Sequence, residues 1–271
     1  MFLTLSSLQL ALVLVGLVFG ATILGHGVGR RMTHKRETLR EPVSVVQGVL
    51  LTLVALVLAF GLAMAVGRHD ARRAAVVDDA NAIGTAFLRA QTLPEPQRSR
   101  SLPLFAEYTE QSLQLSRTVP GSEEQARAIA AGSELQRQLW DQAAQALAAA
   151  PTASAPRLYV ESLNEMIDMQ TTRVAALNNR VPFAIVFFEV VGAATALALL
   201  ALYFALLSRG IVPVLLTASM LMLLLVISLD LDRPTRGMIE IPTSPLETLA
   251  ESMRLAPAAN AHDRGDPPAT R

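Results

Sequence analysis

The sequence contains no cysteine, which excludes disulfide bonds, thiolate metal sites and cysteine nucleophiles. Charge is also scarce, since charged residues make up 17% of the 271 residues, against roughly 25% in soluble domains. The formal net charge is zero, so the chain has no basic field that would attract nucleic acid. The four histidines are scattered and none forms a ligand-spaced pair. We therefore expect no enzyme activity, no cofactor and no metal site.

Apolar residues are abundant, at 52% of the chain, and much of the excess lies in four blocks. Each block lacks Lys and Arg and has about the ~20 residues that a helix needs to cross a ~30 Å hydrocarbon core. A spanning segment of this kind must be helical, because lipid offers no hydrogen bonds to the backbone. We predict an all-α membrane protein with four transmembrane helices, at residues 1–25, 43–67, 182–207 and 211–229.

The segments between and after the blocks are more polar. Residues 68–181 carry apolar side chains at steps of three and four, which predicts an extramembrane helical bundle inserted between the second and third transmembrane helices. Ser122 and Gln125 form a capping-box pattern that begins one of its helices, and Pro182 predicts a kink or break before the third block. Residues 230–271 are predicted as a C-terminal tail, disordered from about residue 257.

The orientation in the membrane follows from the basic residues. Five of them fill the short connection at residues 26–42, and the positive-inside rule places such a connection in the cytoplasm. The chain then spans the cell inner (plasma) membrane, with its N-terminus and the bundle on the extracytoplasmic side. The contrast is incomplete, because seven arginines lie near the opposite face: Arg68, Arg72, Arg73, Arg173, Arg180, Arg233 and Arg236.

Small residues recur every four positions in the second block, at Ala55, Ala59, Ala63 and Gly67. Such stripes let helix backbones approach closely in lipid, where hydrophobicity gives helices no drive to associate. The first and third blocks carry similar residues. We favour packing within one subunit over a subunit interface, and both interpretations are compatible with a homo-oligomer.

Glu189 is the one ionisable residue within the four blocks. It lies about two turns into the third block, or ~10 Å below its end at 1.5 Å per residue. A carboxylate at that depth is costly, so it should face a partner or a water-filled path. It could line a pore, coordinate an ion or accept a proton. Equally, it could be protonated or hydrogen-bonded to Ser228 or Thr217 and join two helices.

Further polar candidates lie at the same membrane face as Glu189 or on the extension of the second helix. Arg68, Arg72, Asp230 and Asp232 could form an ion-pair ring at a pore mouth, although ordinary interfacial caps are slightly favoured. A second group could hold a cation through oxygen ligands, but a helix face paired with nearby arginines is favoured. That group consists of Asp78, Asp79 and Asn81.

The stretch RHDARRAAVVDDANAIGTAFLRAQTLPEPQR resembles the signature of the bestrophin-like membrane-protein family. The stretch DLDRPTRGMIEIPTSPLETL at Asp230–Leu249 is similar to the pattern in which that family ends. Asp79 stands where the family more often has Glu. The resemblance spans roughly residues 45–253 and implies two helix pairs around a helical domain. It also implies kinship with bestrophins, which are oligomeric and largely anion-conducting channels.

Two functions follow as hypotheses. The first is a homo-oligomeric channel that passes inorganic ions through the lipid bilayer. Glu189 favours cations or a gating role here, because an anion path presents Arg, Lys or helix N-termini to the ion. The alternative is a non-conducting membrane scaffold or sensor whose helical bundle binds a partner.

Overall fold

A computed structural model describes residues 7–32, 34, 36–235 and 237–255 of the chain. All regular structure within these residues is helical, as the sequence predicts. The helices are α1 (Ser7–Arg31), α2 (Arg36–Ala90), α3 (Gln97–Arg117), α4 (Glu123–Ala149), α5 (Ser154–Asn178), α6 (Phe183–Leu206), α7 (Val212–Leu231) and α8 (Ser244–Met253).

Four helical spans within the described residues are long and apolar enough to cross a membrane. They begin in α1, α2, α5 and α7, and the third runs on through α6. Where the sequence predicts helices at 182–207 and 211–229, the structure has α6 at Phe183–Leu206 and α7 at Val212–Leu231. Four non-helical residues, 179–182, separate α5 from α6, which is the break that Pro182 predicts, because proline has no N–H to continue a helix.

The basic connection is shorter in the structure than the expected residues 26–42. Helix α1 continues to Arg31 and α2 begins at Arg36, so the intervening segment is 32–35, of which residues 33 and 35 lie outside the described part. The Arg, Glu and Leu residues of this stretch are good helix formers. Pro42 is accommodated inside α2.

The chain divides into two compact units. The apolar unit comprises Met1–His69 and Arg180–Glu240, and the bundle unit comprises Asp70–Asn179 and Ile241–Arg271. The apolar unit packs α1 against α6 through glycines. A Cβ atom added at Gly25 would collide with the backbone of Ala198, and one added at Gly29 would meet Leu202 and Ala205. These two glycines let α1 and α6 approach closely.

The bundle unit has its own apolar core. Fully buried side chains from α2, α3, α5 and α8 meet there, among them Ile83, Phe105, Leu163 and Leu246. Helix α4 begins as predicted, since Ser122 is its N-cap and accepts a hydrogen bond from the backbone N–H of Gln125 at 3.1 Å. The apolar side chains that recur along α5 at steps of three and four lie in this core and in a smaller cluster with Leu115.

Helix α8 was not predicted, because residues 230–271 were interpreted as a tail. Its residues Leu246, Leu249, Ala250 and Met253 are spaced on one helical face and pack on the core of the bundle unit, and a proline near the first position favours helix initiation. Leu249 lies over Gly84 of α2, where an added Cβ would come within 3.2 Å of it. The predicted disorder from residue 257 falls outside the described residues.

Candidate functional site: two buried carboxylates

Glu189 of α6 lies inside the apolar unit, only 1% exposed. Its carboxyl group faces Gly61 of α2 so closely that a Cβ atom added there would collide with it. Three residues further along α6, Gly192 faces Val54 of α2, whose methyl group would lie 3.0 Å from an added Cβ. The side chain of Glu189 therefore fills the space that a larger residue at position 61 would need.

The Glu189 carboxyl group lacks the partners that the sequence suggests. Its Oε1 atom accepts no hydrogen bond from any residue that the structure describes. The hydroxyl of Thr217 donates instead to the carbonyl oxygen of Pro213 within α7, at 3.1 Å. The predicted hydrogen bond from Thr217 is therefore wrong, since this hydroxyl serves its own helix.

Helix α2 has two opposite faces within the apolar unit. Val54, Leu58, Gly61 and Ala65 are buried and lie on one face. The stripe of small residues at Ala55, Ala59, Ala63 and Gly67 is exposed, and at 100° per residue it lies on the other side of the helix. The favoured interpretation of this stripe as packing within one subunit is therefore wrong for α2, because its intrachain contacts use the opposite face.

Asp230 and Asp232 bind backbone amides within the apolar unit. Asp230 accepts hydrogen bonds from the N–H groups of Met238 at 2.7 and 2.8 Å and of Ile239 at 3.0 Å. Asp232 accepts one from the N–H of Val181 at 3.1 Å. Both carboxylates therefore hold backbone segments near the ends of α7 and α6, and the choice between ordinary caps and an ion-pair ring stays a prediction.

Arg68 and Arg72 leave the apolar part of α2 in succession. Arg68 is half-buried, whereas Arg72 is 1% exposed and lies in the bundle unit. The Arg72 guanidinium donates to the carbonyl oxygen of Ala176 at 3.2 Å and to that of Asn179 at 2.6 Å. It therefore satisfies carbonyl groups at the C-terminal end of α5, where a cation also complements the helix dipole.

Asp79 is the second fully buried carboxylate, and it lies in the bundle unit with 0% exposure. The Arg173 guanidinium of α5 donates to its Oδ2 at 2.6 Å, and the hydroxyl of Ser112 on α3 donates to the same oxygen at 2.8 Å. Arg173 also donates to the carbonyl oxygen of Ser112 at 3.0 Å and to the hydroxyl of Ser116. This network joins α2, α3 and α5.

A second polar layer lies beside the Asp79 network. The side-chain amide of Gln136 donates to the Tyr108 hydroxyl at 3.0 Å and to Gln170. Burial raises the pKa of Tyr108 well above its usual value, and the nearby charge of Asp79 adds to the effect. Gln170 therefore serves as a polar contact between α5 and α4.

The three candidate ligands on α2 do not form one site. Asp79 is buried, whereas Asp78 and Asn81 are exposed. The favoured pairing with nearby arginines of α2, namely Arg72, Arg73 or Arg89, is wrong for Asp79, because its ion-pair partner is Arg173 of α5. Sequence reasoning missed this partner because Asp79 and Arg173 are 94 positions apart and no local spacing connects them.

These features define a helical membrane protein in which the described part of the chain has two fully buried carboxylates, one in each unit. A family model of the bestrophin-like domain matches residues 12–246, and the chain belongs to this bestrophin-like family. No curated protein matches the chain.

Solved structures of bacterial bestrophin homologues have the same fold. A homologue from Klebsiella pneumoniae is 13% identical in sequence, with a TM-score of 0.65 over 88% of this chain and 96% of that one. A single-residue variant from the same organism is 15% identical, with a TM-score of 0.66 over 89% of this chain and 93% of that one. At such identity the likeness establishes the fold alone.

Proposed function

We propose that this protein self-associates in the lipid bilayer to form a channel for inorganic ions. The observation that carries the proposal is the exposed small-residue face of α2, formed by Ala55, Ala59, Ala63 and Gly67. A Cβ atom added at Gly67 would have no described atom within 4 Å. This face is therefore available to a second copy of the chain.

The chemistry of this face fits another helix better than it fits lipid. Small side chains make few van der Waals contacts with lipid tails. They let two helix backbones approach each other and make such contacts along their length. Because identical chains associate with closed rotational symmetry in most cases, the same face of each copy would surround one axis. Family membership supports the channel, since the bestrophins that gave the family its name are oligomeric channels.

The proposed arrangement places residues 68–181 outside the membrane as a helical domain between the second and third transmembrane helices. We place the protein in the cell inner membrane. The arginines at positions 30, 31, 36 and 40 would keep the α1–α2 connection on the cytoplasmic side. The cysteine-free chain offers a direct test. An impermeant thiol reagent added outside cells should label Gln138→Cys and spare Thr38→Cys, and the reverse pattern would refute this orientation.

The charged candidates receive separate roles in this proposal. Arg72 donates to backbone carbonyl groups within the bundle unit, and Asp230 and Asp232 accept from backbone amides within the apolar unit. We therefore assign these three side chains to the stability of their own units and not to ion selection. Asp78 and Asn81 are exposed on α2 in the bundle unit and could contact solutes there.

The channel is tested by comparing two alanine-to-leucine variants. Ala59→Leu places a bulky side chain on the exposed small-residue face of α2. Ala184→Leu adds the same volume at an exposed position of α6. The purified proteins are sized by light scattering in detergent and reconstituted into liposomes for flux measurements with potassium and chloride gradients. We expect oligomers and flux for the wild type and Ala184→Leu, and loss of both in Ala59→Leu.

Two outcomes would contradict the channel. One is a folded wild-type protein that is monomeric in lipid, and the other is a folded oligomer that passes neither ion. If such a silent protein also crosslinks to a distinct partner through the bundle unit, the scaffold hypothesis replaces the channel.

A further inference from the structure

The contact between Glu189 and Gly61 is chemically unusual for the apolar unit. The four apolar stretches, residues 7–25, 43–67, 183–206 and 212–229, contain no Asp, Glu, His, Lys or Arg except Glu189. Its carboxyl group is nevertheless buried at 1% exposure, with Oε1 unpaired among the described residues. An ionised carboxylate in such surroundings is strongly disfavoured because it loses its hydration, whereas a neutral carboxylic acid loses far less.

We propose that Glu189 is a proton-binding site, and that it holds a proton while its side chain lies over Gly61. The bound proton completes the neutral carboxylic acid, and its release to water leaves the carboxylate with a negative charge. The consequence for ion flux rests on the proposed channel function, but the site itself does not.

A proton fits this site better than a metal cation or a basic side chain. Calcium or magnesium would need about six oxygen ligands, and the hydroxyl of Thr217, one of the two that the sequence suggested, donates to the carbonyl oxygen of Pro213 instead. The charged groups on the packed elements lie beyond their apolar stretches, at His26 on α1, Arg68 and His69 on α2, and Asp230 on α7. Arg68 is seven residues from Gly61, which is about 10 Å along the helix.

Release of the proton would act on α2 through Gly61. The ionised carboxylate needs water molecules around it. Gly61 has no side chain that could move aside to make room for them. The carboxyl group and the α2 backbone would therefore have to separate. Since the exposed small-residue face lies on the opposite side of the same helix, any displacement of α2 at position 61 also moves that face.

Infrared spectroscopy tests the site without requiring channel activity. A protonated carboxylic acid has a carbonyl-stretch band that is separate from the amide and carboxylate bands. Spectra of the full chain at neutral pH, in a detergent that has no ester or carboxyl group, should show this band for the wild type and for Glu165→Gln, which removes an exposed carboxyl group. The band should be absent from Glu189→Gln and should change in frequency in Gly61→Ala, whose added methyl group meets the carboxyl group.

The proposal is overturned if, at neutral pH, the wild type has no more absorbance in the protonated-acid band than Glu189→Gln has. A band that survives unchanged in Gly61→Ala would also overturn it, because the proton would then lie elsewhere. If Glu189→Gln does not fold, Glu189→Asp replaces it. The shorter acid should keep a protonated-acid band at a shifted frequency, and an unshifted band would count against the site.

Flux measurements separate this proposal from the proposed function. If the protein conducts, wild-type flux should change by several-fold across the pH range in which the infrared band disappears, and the flux of Glu189→Gln should be independent of pH in that range. If no variant conducts while the band behaves as expected, the channel fails and the proton site stands. If the protein conducts and the band is absent, the proton site fails and the channel stands.

Discussion

The two carboxylates that are fully buried within the described residues, Asp79 and Glu189, are stabilised in opposite ways. Asp79 in the bundle unit has an arginine, Arg173, at 2.6 Å and a serine hydroxyl, that of Ser112, at 2.8 Å. Glu189 in the apolar unit faces the α-carbon of Gly61 instead. Both are at most 1% exposed, so burial alone does not determine how a carboxylate is accommodated.

The difference follows from what each unit can supply. The bundle unit is built from amphipathic helices, so arginine, serine and glutamine side chains on their margins can reach the core and compensate a charge. In the apolar unit, the apolar stretches of the helices around Glu189 contain no other acidic or basic residue. This unit accommodates the carboxyl group by the space at Gly61 and by keeping the group neutral. A buried ion pair holds its two helices in one arrangement, because separating the pair would leave each charge buried without its partner at a large cost in free energy. A neutral acid in a fitted space can change its charge.

The largest expected effect comes from removing the charge of Asp79. Asp79→Ala leaves the Arg173 guanidinium buried and uncompensated, which should destabilise the protein by about 3–5 kcal/mol. The measurement is denaturant unfolding of the full chain in detergent, followed by circular dichroism. The matched control is Asp78→Ala, at the exposed neighbouring position, which should change the free energy of unfolding by no more than ~0.5 kcal/mol.

The double variant Asp79→Leu, Arg173→Met sharpens the same comparison. Replacing both partners by apolar residues removes the buried charge altogether, so much of the lost stability should return. The loss of unfolding free energy in the double variant is compared with the sum of the losses in Asp79→Leu and Arg173→Met. If the two are equal, the side chains act independently and Asp79 is not held by Arg173.

Periodicity and composition predicted the parts of the fold that depend on local sequence. The apolar helices α6 and α7, the N-cap at Ser122 and the break before α6 each follow from a short run of residues. Helix α8 could have been found from the spacing of Leu246, Leu249 and Met253, but the loop residues before it made the whole segment resemble a tail.

Contacts between distant segments were beyond local patterns. Glu189 was found because a lone carboxylate in an apolar block is conspicuous, yet nothing near it in the sequence indicates Gly61. In the same way, Asp79 does not indicate Arg173. The stripe at Ala55, Ala59 and Ala63 was recognised, but spacing gives the face of a helix and not what covers that face.

A smaller effect is expected from the glycines that bring α1 and α6 together in the apolar unit. Gly25→Ala places a methyl group against the backbone of Ala198, which cannot rotate away, so overpacking should cost about 1–3 kcal/mol. The control lies two residues away, because an added Cβ at Gly27 has no described atom within 4 Å. Thermal unfolding in detergent should therefore separate the two variants, and equal midpoints would show that α1 does not need this close approach.

The smallest effect concerns a neutral buried acid in the bundle unit, the phenol of Tyr159, and it is confined to alkaline pH. Tyr159 is fully buried and packs edge-on against Phe105, with ring centroids 6.2 Å apart. Burial raises its pKa from 10.0 to about 12. Below pH 10.0 the phenol is protonated in the folded and the unfolded chain, so its contribution to stability is fully present there.

As the pH rises from 10.0 to about 12, the unfolded chain releases the Tyr159 proton first and the folded state loses stability. Tyr159→Phe has no proton to release, so its stability should fall less steeply over this range than that of the wild type. The measurement is the unfolding midpoint in denaturant as a function of pH, with each variant normalised to its own value below pH 10.0. Parallel declines would show that water reaches the Tyr159 phenol in the folded state. The bundle unit would then exclude water from its neutral acid less completely than the apolar unit does from Glu189.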